Sequence, residues 1–331
     1  LLRTYPWIQT PLEIAQRVDA LPPSLTRRIG RLAHRALDRH IARTLPDCHV
    51  YMALAGIGLA SGRAAQSRNI AWVCDRASAH IEVQNRLLCE GYAALGLPWR
   101  PIDSAAIERD LAEYAEADAV VVPSRFAYDS FLERGFPEDR LHRIPFGVSL
   151  ARFSRCAPRD GEFRVLFVGA PGVQKGLHFL LQAFARAALP GARLAIVGHP
   201  EPETAALLKR FPVASLEMVG PVSPDEVARQ MSRASVLVMP SLQDGLAVVQ
   251  AEALACGCPV ISSTHAGGGD LFDDGEAGFI VPVGDIDALA DRLTRLRDDP
   301  ALLAEMSRNA LSRAEAMGGW DRYGDAVCAL F

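Results

Sequence analysis

The sequence predicts an α/β chain of two doubly wound domains, and three observations predict it. From Asp47 onward, short apolar runs alternate with helical patterns, as parallel strands joined by crossover helices do. The alternation stops over 146–161, where Gly147, Pro158 and Gly161 stand without periodicity, and then restarts. A chain of 331 residues is ample for two separate cores.

The first expected element is a helix near 24–44. Its segment 27–43, RRIGRLAHRALDRHIAR, puts Ile29, Leu32, Ala33, Ala36, Leu37 and Ile41 on one side and arginines on the other. Strands are expected near 48–54, 70–74, 118–122 and 141–145, and helices near 80–94, 104–116 and 125–135. The linker divides a first domain, 1–150, from a second, 151–316. Second-domain strands fall near 163–169, 192–198, 215–219, 234–239, 258–262 and 278–282, and a helix follows most of them. The tail 317–331 ends in the amphipathic WDRYGDAVCALF. Doubly wound sheets bind ligands outside the carboxyl ends of their strands, and each loop singled out below follows a strand.

Composition narrows the class. Half the residues are hydrophobic and 22% are charged, as in ordinary globular proteins, and no apolar run reaches the length of a bilayer span. The chain opens LLRTYPWIQTP with neither an initiator Met nor a signal-peptide pattern, which reads as a chain trimmed at its start. Seven scattered cysteines read as reduced thiols of a cytoplasmic protein, and Cys256 with Cys258 stands too isolated for a zinc site. Net charge is −4, yet residues 1–70 hold ten Arg against four acids. No nucleic-acid partner is expected. The basic segment 27–43 suits an anionic membrane surface, and equally the solvated face of an ordinary domain helix. Only two residues are lysines, Lys175 and Lys209, so a lysine in a loop attracts notice.

The richest stretch is 239–259, MPSLQDGLAVVQAEALACGCP. A buried strand stops at Pro240–Ser241, and an alanine-rich helix is expected over 246–256, ended by Gly257 and Pro259. Asp244 stands in the loop before that helix, and Glu252 follows about two turns later among Ala251, Ala253, Leu254 and Ala255. A helix start offers free N–H groups to an anion or hydroxyl, and two carboxylates flanking it suit a ligand carrying hydroxyls and phosphate. The plain alternative makes Asp244 a helix cap. That alternative serves Glu252 poorly, because a carboxylate in apolar company is usually paired or functional.

A second loop, GAPGVQKG (169–176), joins a strand to a helix. Gly169 and Gly172 permit close backbone approach, and Lys175 can set a point charge on a phosphate. The glycine spacing fits neither a Walker loop nor a dinucleotide fingerprint. His80, in VCDRASAHIEVQ, follows a strand and opens a helix, where a capping or core role competes with a ligand role. MVGPVSPDEV (218–227) is a proline-stiffened turn carrying Pro221 and Val222, and THAGGGDLFDDGEAGF (264–279) reads as a loop at a binding cleft.

Taken together these segments resemble the family 4 retaining glycosyltransferases. The resemblance rests on Asp244-x7-Glu252 with ALACGCPV after it. Further matches are ADAVVVPSRFAYDSFLERGF (117–136), IPFGVSLARF (144–153), FVGAPGVQKGLHFLLQAF (167–184) and GFIVPVGDIDALADRL (278–293), in that order. It implies the GT-B fold, two Rossmann-like domains facing across a cleft, with an N-terminal strand and glycine-rich loop missing here and the last helix packed back on the first domain. It implies transfer of a hexose-type sugar from a nucleotide-diphosphate donor to a glycan or lipid-linked acceptor, with retention and without metal. No cofactor is implied, the sugar nucleotide being a co-substrate.

By residue, the resemblance puts Glu252 on the nucleotide ribose and Asp244 on the donor sugar. It places the amides of Gly245, Leu246 and Ala247 near sugar and diphosphate, with Lys175 on the leaving diphosphate and Gly169 and Gly172 in its loop. Val222 would stand near the nucleobase and His80 near the transferred sugar. Two departures stand out: Asp244 occupies the position of a usual Glu, and Ala170 that of a common Arg. A lipid-linked acceptor would give 27–43 a purpose at the inner membrane face. Other readings are a sugar-nucleotide epimerase or phosphorylase of this architecture, and an inactive binding protein derived from the enzyme.

Overall fold

The computed structural model describes residues 23–330; the opening LLRTYPWIQTP lies outside them, as do the side chains of Arg27 and Arg28. In chain order the first half carries α1 (Pro23–Thr44), β1 (Val50–Leu54), α2 (Leu59–Gln66), β2 (Ala71–Asp75), α3 (Ile81–Ala94), α4 (Ser104–Glu116), β3 (Ala119–Val122), α5 (Arg125–Glu133) and β4 (Leu141–Arg143). The second half carries β5 (Arg164–Val168), α6 (Leu177–Ala187), β6 (Arg193–Val197), α7 (Thr204–Arg210), β7 (Leu216–Gly220), α8 (Pro224–Arg233) and β8 (Val236–Met239). It continues through α9 (Val248–Ala255), β9 (Val260–Ser263), β10 (Gly278–Val281), α10 (Ile286–Asp298), α11 (Pro300–Met317) and α12 (Trp320–Cys328).

Each expected strand forms within a few residues of its place. The helix α2 was not expected, because LASGRAAQ has no apolar stripe to mark it. Strand β4 stops at Arg143 rather than 145: the amide of Ile144 still reaches the Val122 carbonyl, but Pro145 has none to give.

The described residues form two compact units. One is the chain up to Ala77 with Ile102–Val121 and Glu138–His142; the other is Ser78–Pro101, Val122–Pro137 and the chain from Arg143. The first unit carries a sheet in the order β1-β2-β3-β4, with Val50 opposite Ala71 and Val73 opposite Ala119 in parallel register. Its helix α1 is docked by a buried acid. Asp38 accepts the amides of Ala60 and Ser61 at 2.9 and 2.8 Å, serving α2 as a cap donated from another helix. Glu113 does the same for the amides of Gly56 and Gly58, at 2.6 and 3.0 Å, and Arg109 pairs with both acids.

The second unit carries six parallel strands in the order β10-β9-β8-β5-β6-β7. Alternation along each strand splits the core between two faces. Leu166, Ala195 and Leu237 join the cluster under α8, α9 and α11, whereas Val165, Phe167, Ile196 and Val238 join the one under α6 and α10. The chain fills the sheet outward from β5 to β7, then returns to lay β8, β9 and β10 on the other side of β5. The order therefore reverses between β5 and β8, where open α/β sheets place their ligands.

Candidate functional site

The loops leaving β5 and β8 are 169–176 and 240–247, the two segments that flank this reversal. They touch through backbone. Gly176 has φ +71°, and a Cβ on it would lie 2.0 Å from the Pro240 carbonyl oxygen, so only glycine lets the loops meet. The amides of Leu242 and Gln243 donate to the Gln174 carbonyl at 3.0 and 3.3 Å. The Gln174 amide group donates to the Gln243 side chain at 3.2 Å, and buried Gln243 donates in turn to Ser78 Oγ at 2.6 Å.

Across this contact Lys175 Nζ is paired with Asp244 Oδ2, both side chains mostly buried. The pairing decides one alternative. Helix α9 starts at Val248 behind Ala247 and has no capping side chain, so Asp244 is not its cap. Helix α6 likewise starts uncapped behind Gly176, whereas α8, α10 and α11 are capped by Ser223, Asp285 and Asp299. At the mouth of α9 the Ala247 amide goes to the Ala266 carbonyl at 3.2 Å, and those of Gly245 and Leu246 take no partner among the described residues.

Glu252 lies on α9, half-buried, and its carboxyl makes no hydrogen bond among the described residues. Burial raises its pKa to about 6, with Arg152 pulling against the rise. A carboxyl withdrawn from water without a donor is a costly arrangement that a ligand hydroxyl would relieve.

The glycines of the other loop divide. Gly169, at φ +140°, has open space where a Cβ would stand. At Gly172 the same position lies 2.6 Å from Glu203 Oε1, an oxygen that accepts the Val173 amide at 3.1 Å and the Tyr92 hydroxyl at 2.6 Å. Gly172 thus makes room for this chain's own acid. Val222 is half-buried against the cluster under α8, beside exposed Pro221. His80 is the N-cap of α3: its Nδ1 accepts the Glu82 amide at 3.3 Å, and its ring meets Phe131 edge-on at 4.9 Å.

The Asp244 loop is also clamped by residues that sequence reasoning did not select. Ser124 Oγ donates to the Gly245 carbonyl while accepting the Ala127 amide at the start of α5. His265 holds the Leu242 carbonyl through Nδ1 at 2.9 Å, accepts the Asp244 amide on its own carbonyl at 3.1 Å, and stacks on Phe126 at 4.2 Å. Burial lowers the His265 pKa, which favours the neutral ring. Gly91, inside α3, lets Leu242 pack where a Cβ would come within 2.2 Å of Leu242 Cδ2. A glycine in mid-helix was the one available signal among these. Ser124 sits in a matched motif, but nothing in its spacing announces a bond 121 residues away.

All seven cysteines are free thiols. Among the described residues no cluster of His, Cys, Asp and Glu is placed to hold a metal, and no helix is long and apolar enough to cross a membrane.

Comparison with known proteins fits this geometry. Residues 162–299, which include both loops and α9, match the family model "Glycosyl transferases group 1". A D-inositol 3-phosphate glycosyltransferase of Pseudarthrobacter chlorophenolicus is 34% identical over 207 residues, covering 57% of this chain and 49% of that protein. The chain spans about half the length of the curated relatives it matches. Sucrose-phosphate synthase from Thermosynechococcus elongatus superposes with a TM-score of 0.74 at 24% identity, over 96% of this chain and 80% of that one. Anabaena Alr3699/HepE, solved in complex with UDP, gives 0.71 at 18% identity, over 93% of this chain and 84% of its own. The two parallel sheets are those of the GT-B fold.

Proposed function

We propose that the chain is a retaining, metal-independent glycosyltransferase of family 4. It would move a hexose-type sugar from a nucleotide-diphosphate donor to a glycan or lipid-linked acceptor. The observation that carries this reading is Glu252, a half-buried carboxyl without a donor among the described residues, behind an uncapped helix start whose entrance holds the Lys175–Asp244 pair. Such a set supplies what a sugar nucleotide requires: an acceptor for two ribose hydroxyls, a cation and free amides for the diphosphate, and an acid for the sugar.

In the proposed reaction Glu252 holds the ribose and Val222 lies at the base. The amides of Gly245 and Leu246, with the open backbone at Gly169, receive diphosphate and sugar. Lys175 leaves Asp244 for the diphosphate and stabilises the charge that builds there as the glycosidic bond breaks. Asp244, so released, takes a hydroxyl of the sugar. His80 would serve on the acceptor side, near the transferred sugar. A relative named a D-inositol 3-phosphate glycosyltransferase supports sugar transfer, and a structural neighbour solved with UDP supports the donor class. A lipid-linked acceptor would bring α1 and its Arg face to the cytoplasmic side of a membrane.

The test is thermal stabilisation by nucleoside diphosphates, followed by donor-dependent transfer and determination of the product's anomeric configuration. Absence of nucleoside diphosphate binding would overturn the donor site, and an inverted product would overturn retention. Interconversion of sugar nucleotides without an acceptor would instead establish the epimerase.

A further inference from the structure

Away from these loops, a cavity of about 350 Å³ lies where the segment 143–147 meets the junction of α11 and α12. Three arginines line it, Arg143, Arg313 and Arg322, against a single acid, Asp270. Each arginine is fastened by one edge. Arg143 Nη1 bonds Asp270 Oδ1 at 3.0 Å, Arg313 Nε bonds the Leu271 carbonyl, and Arg322 Nη1 bonds the Ala316 carbonyl at 2.6 Å, near the end of α11. Asp270 is already shared, accepting the Arg125 amide at 2.8 Å as well. Neither Arg313 nor Arg322 meets a carboxylate among the described residues.

The lining therefore holds two guanidinium charges without a counter-ion among the described residues. Fastening one edge of a guanidinium leaves its other N–H groups in a fixed fork, the geometry that grips phosphate oxygens in pairs and loses little side-chain entropy in doing so. The rest of the wall is not suited to a bare ion. Phe146 and Tyr323, themselves packed ring to ring at 5.8 Å, form an apolar side to the cavity. Sugars and other small organic bodies pack on such surfaces.

We infer that this cavity binds a small soluble phosphomonoester, its dianion on Arg313 and Arg322 and its organic body against Phe146 and Tyr323. A phosphomonoester carries nearly two negative charges at neutral pH, which matches the two unpaired cations. The site is separate from the proposed donor groups: Lys175, Asp244 and Glu252 are not in its lining. It consequently stands or falls independently of the transferase reading.

Calorimetric titration of the whole chain with a hexose 6-phosphate, the same hexose without phosphate, and inorganic phosphate tests the inference. The expected result is saturable binding of the ester, weaker binding of phosphate and none of the free hexose. Arg322→Gln and Arg313→Gln should each weaken the ester by about tenfold or more, the loss of a charged hydrogen bond, while nucleoside diphosphate affinity stays unchanged. Arg322 is exposed, so its variant folds even if loss of the Arg313 bond to Leu271 destabilises the other. Failure of the ester to saturate, equal affinity for ester and inorganic phosphate, parental affinity in the Arg322 variant, or competition between ester and nucleoside diphosphate would each overturn it.

Discussion

Lys175 and Asp244 neutralise each other across the loops that leave β5 and β8, 69 residues apart in sequence. Each is held for the other by backbone: Gly176 abuts Pro240, and the Gln174 carbonyl takes two amides of the Asp244 loop. An anion arriving at Lys175 must compete with this carboxylate, and whatever displaces it sets Asp244 free.

Replacing Lys175 by Ala removes the cation and leaves Asp244 unpaired in a mostly buried place. On the proposed mechanism the charge matters most as the diphosphate departs, so kcat should fall more steeply than KM rises. The melting temperature should fall as well, because removing the lysine strands a mostly buried carboxylate at a cost of about 1–3 kcal/mol, but this loss should be small beside the loss of kcat. An unchanged kcat would return the lysine to a purely structural pairing.

Asp244→Glu should preserve or raise transfer, the longer acid regaining reach, whereas Asp244→Asn should lower it. Neither change disturbs the start of α9, since the Asp244 side chain does not cap it and its amide bond to His265 is retained. Donor-dependent transfer by both variants, with folding followed by circular dichroism, gives the comparison. Equal activity of Asn and parent would remove Asp244 from the chemistry.

Glu252→Gln should act in opposite directions on stability and binding. The folded pKa, about 6, lies above the ordinary carboxyl value, so the folded state holds the proton more tightly than the unfolded state. That contribution is full at acid pH and is lost as pH rises through about 6; above it the ionised group is a burden that Gln lifts. A rise in melting temperature of about 2 °C at pH 7.5 is expected. Nucleoside diphosphate affinity should drop about tenfold or more, as a charged acceptor of ribose hydroxyls is lost.

The parent's affinity should itself weaken as pH falls below about 6, with proton release on binding near that pH, since only the ionised carboxyl accepts both hydroxyls. Calorimetry in buffers of different ionisation enthalpy measures that release. Its absence would separate Glu252 from the nucleotide.

Gly176→Ala should be among the most damaging single-methyl changes in the chain. At φ +71° the new Cβ is strained by about 1–2 kcal/mol, and it would also stand 2.0 Å from the Pro240 oxygen. Thermal unfolding and transfer should fail together. Ser124→Ala tests positioning more gently: losing both the bond to the Gly245 carbonyl and the cap of α5 should cost about 1–3 kcal/mol of stability and lower kcat through misplacement of the loop. Parental kcat in this variant would show that the clamp does not set the loop.

How much of this was legible beforehand follows from the range of the interactions. Strand positions come from periodicity and stop signals within a few residues, so β5 to β10 could be placed from sequence with a helix after most of them, and so could the approximate seat of Asp244, Glu252 and Lys175. The helix α2 escaped because its small residues carry no stripe, and β4 ended early on one proline. What the tertiary structure alone decided were choices between partners. Asp244 had an equally good local role as a cap, and only the meeting of two distant loops gave it Lys175 instead. The cap bond of His80 to the Glu82 amide, and the closeness of Gly172 to Glu203, likewise came only with packing. Ser124, Gln243 and His265 gave no sign, since a side chain that holds a backbone carbonyl far away in sequence leaves no spacing to read. Local chemistry determined which segments would form the sheets and loops; the order in which the strands were laid down determined which of those loops would meet.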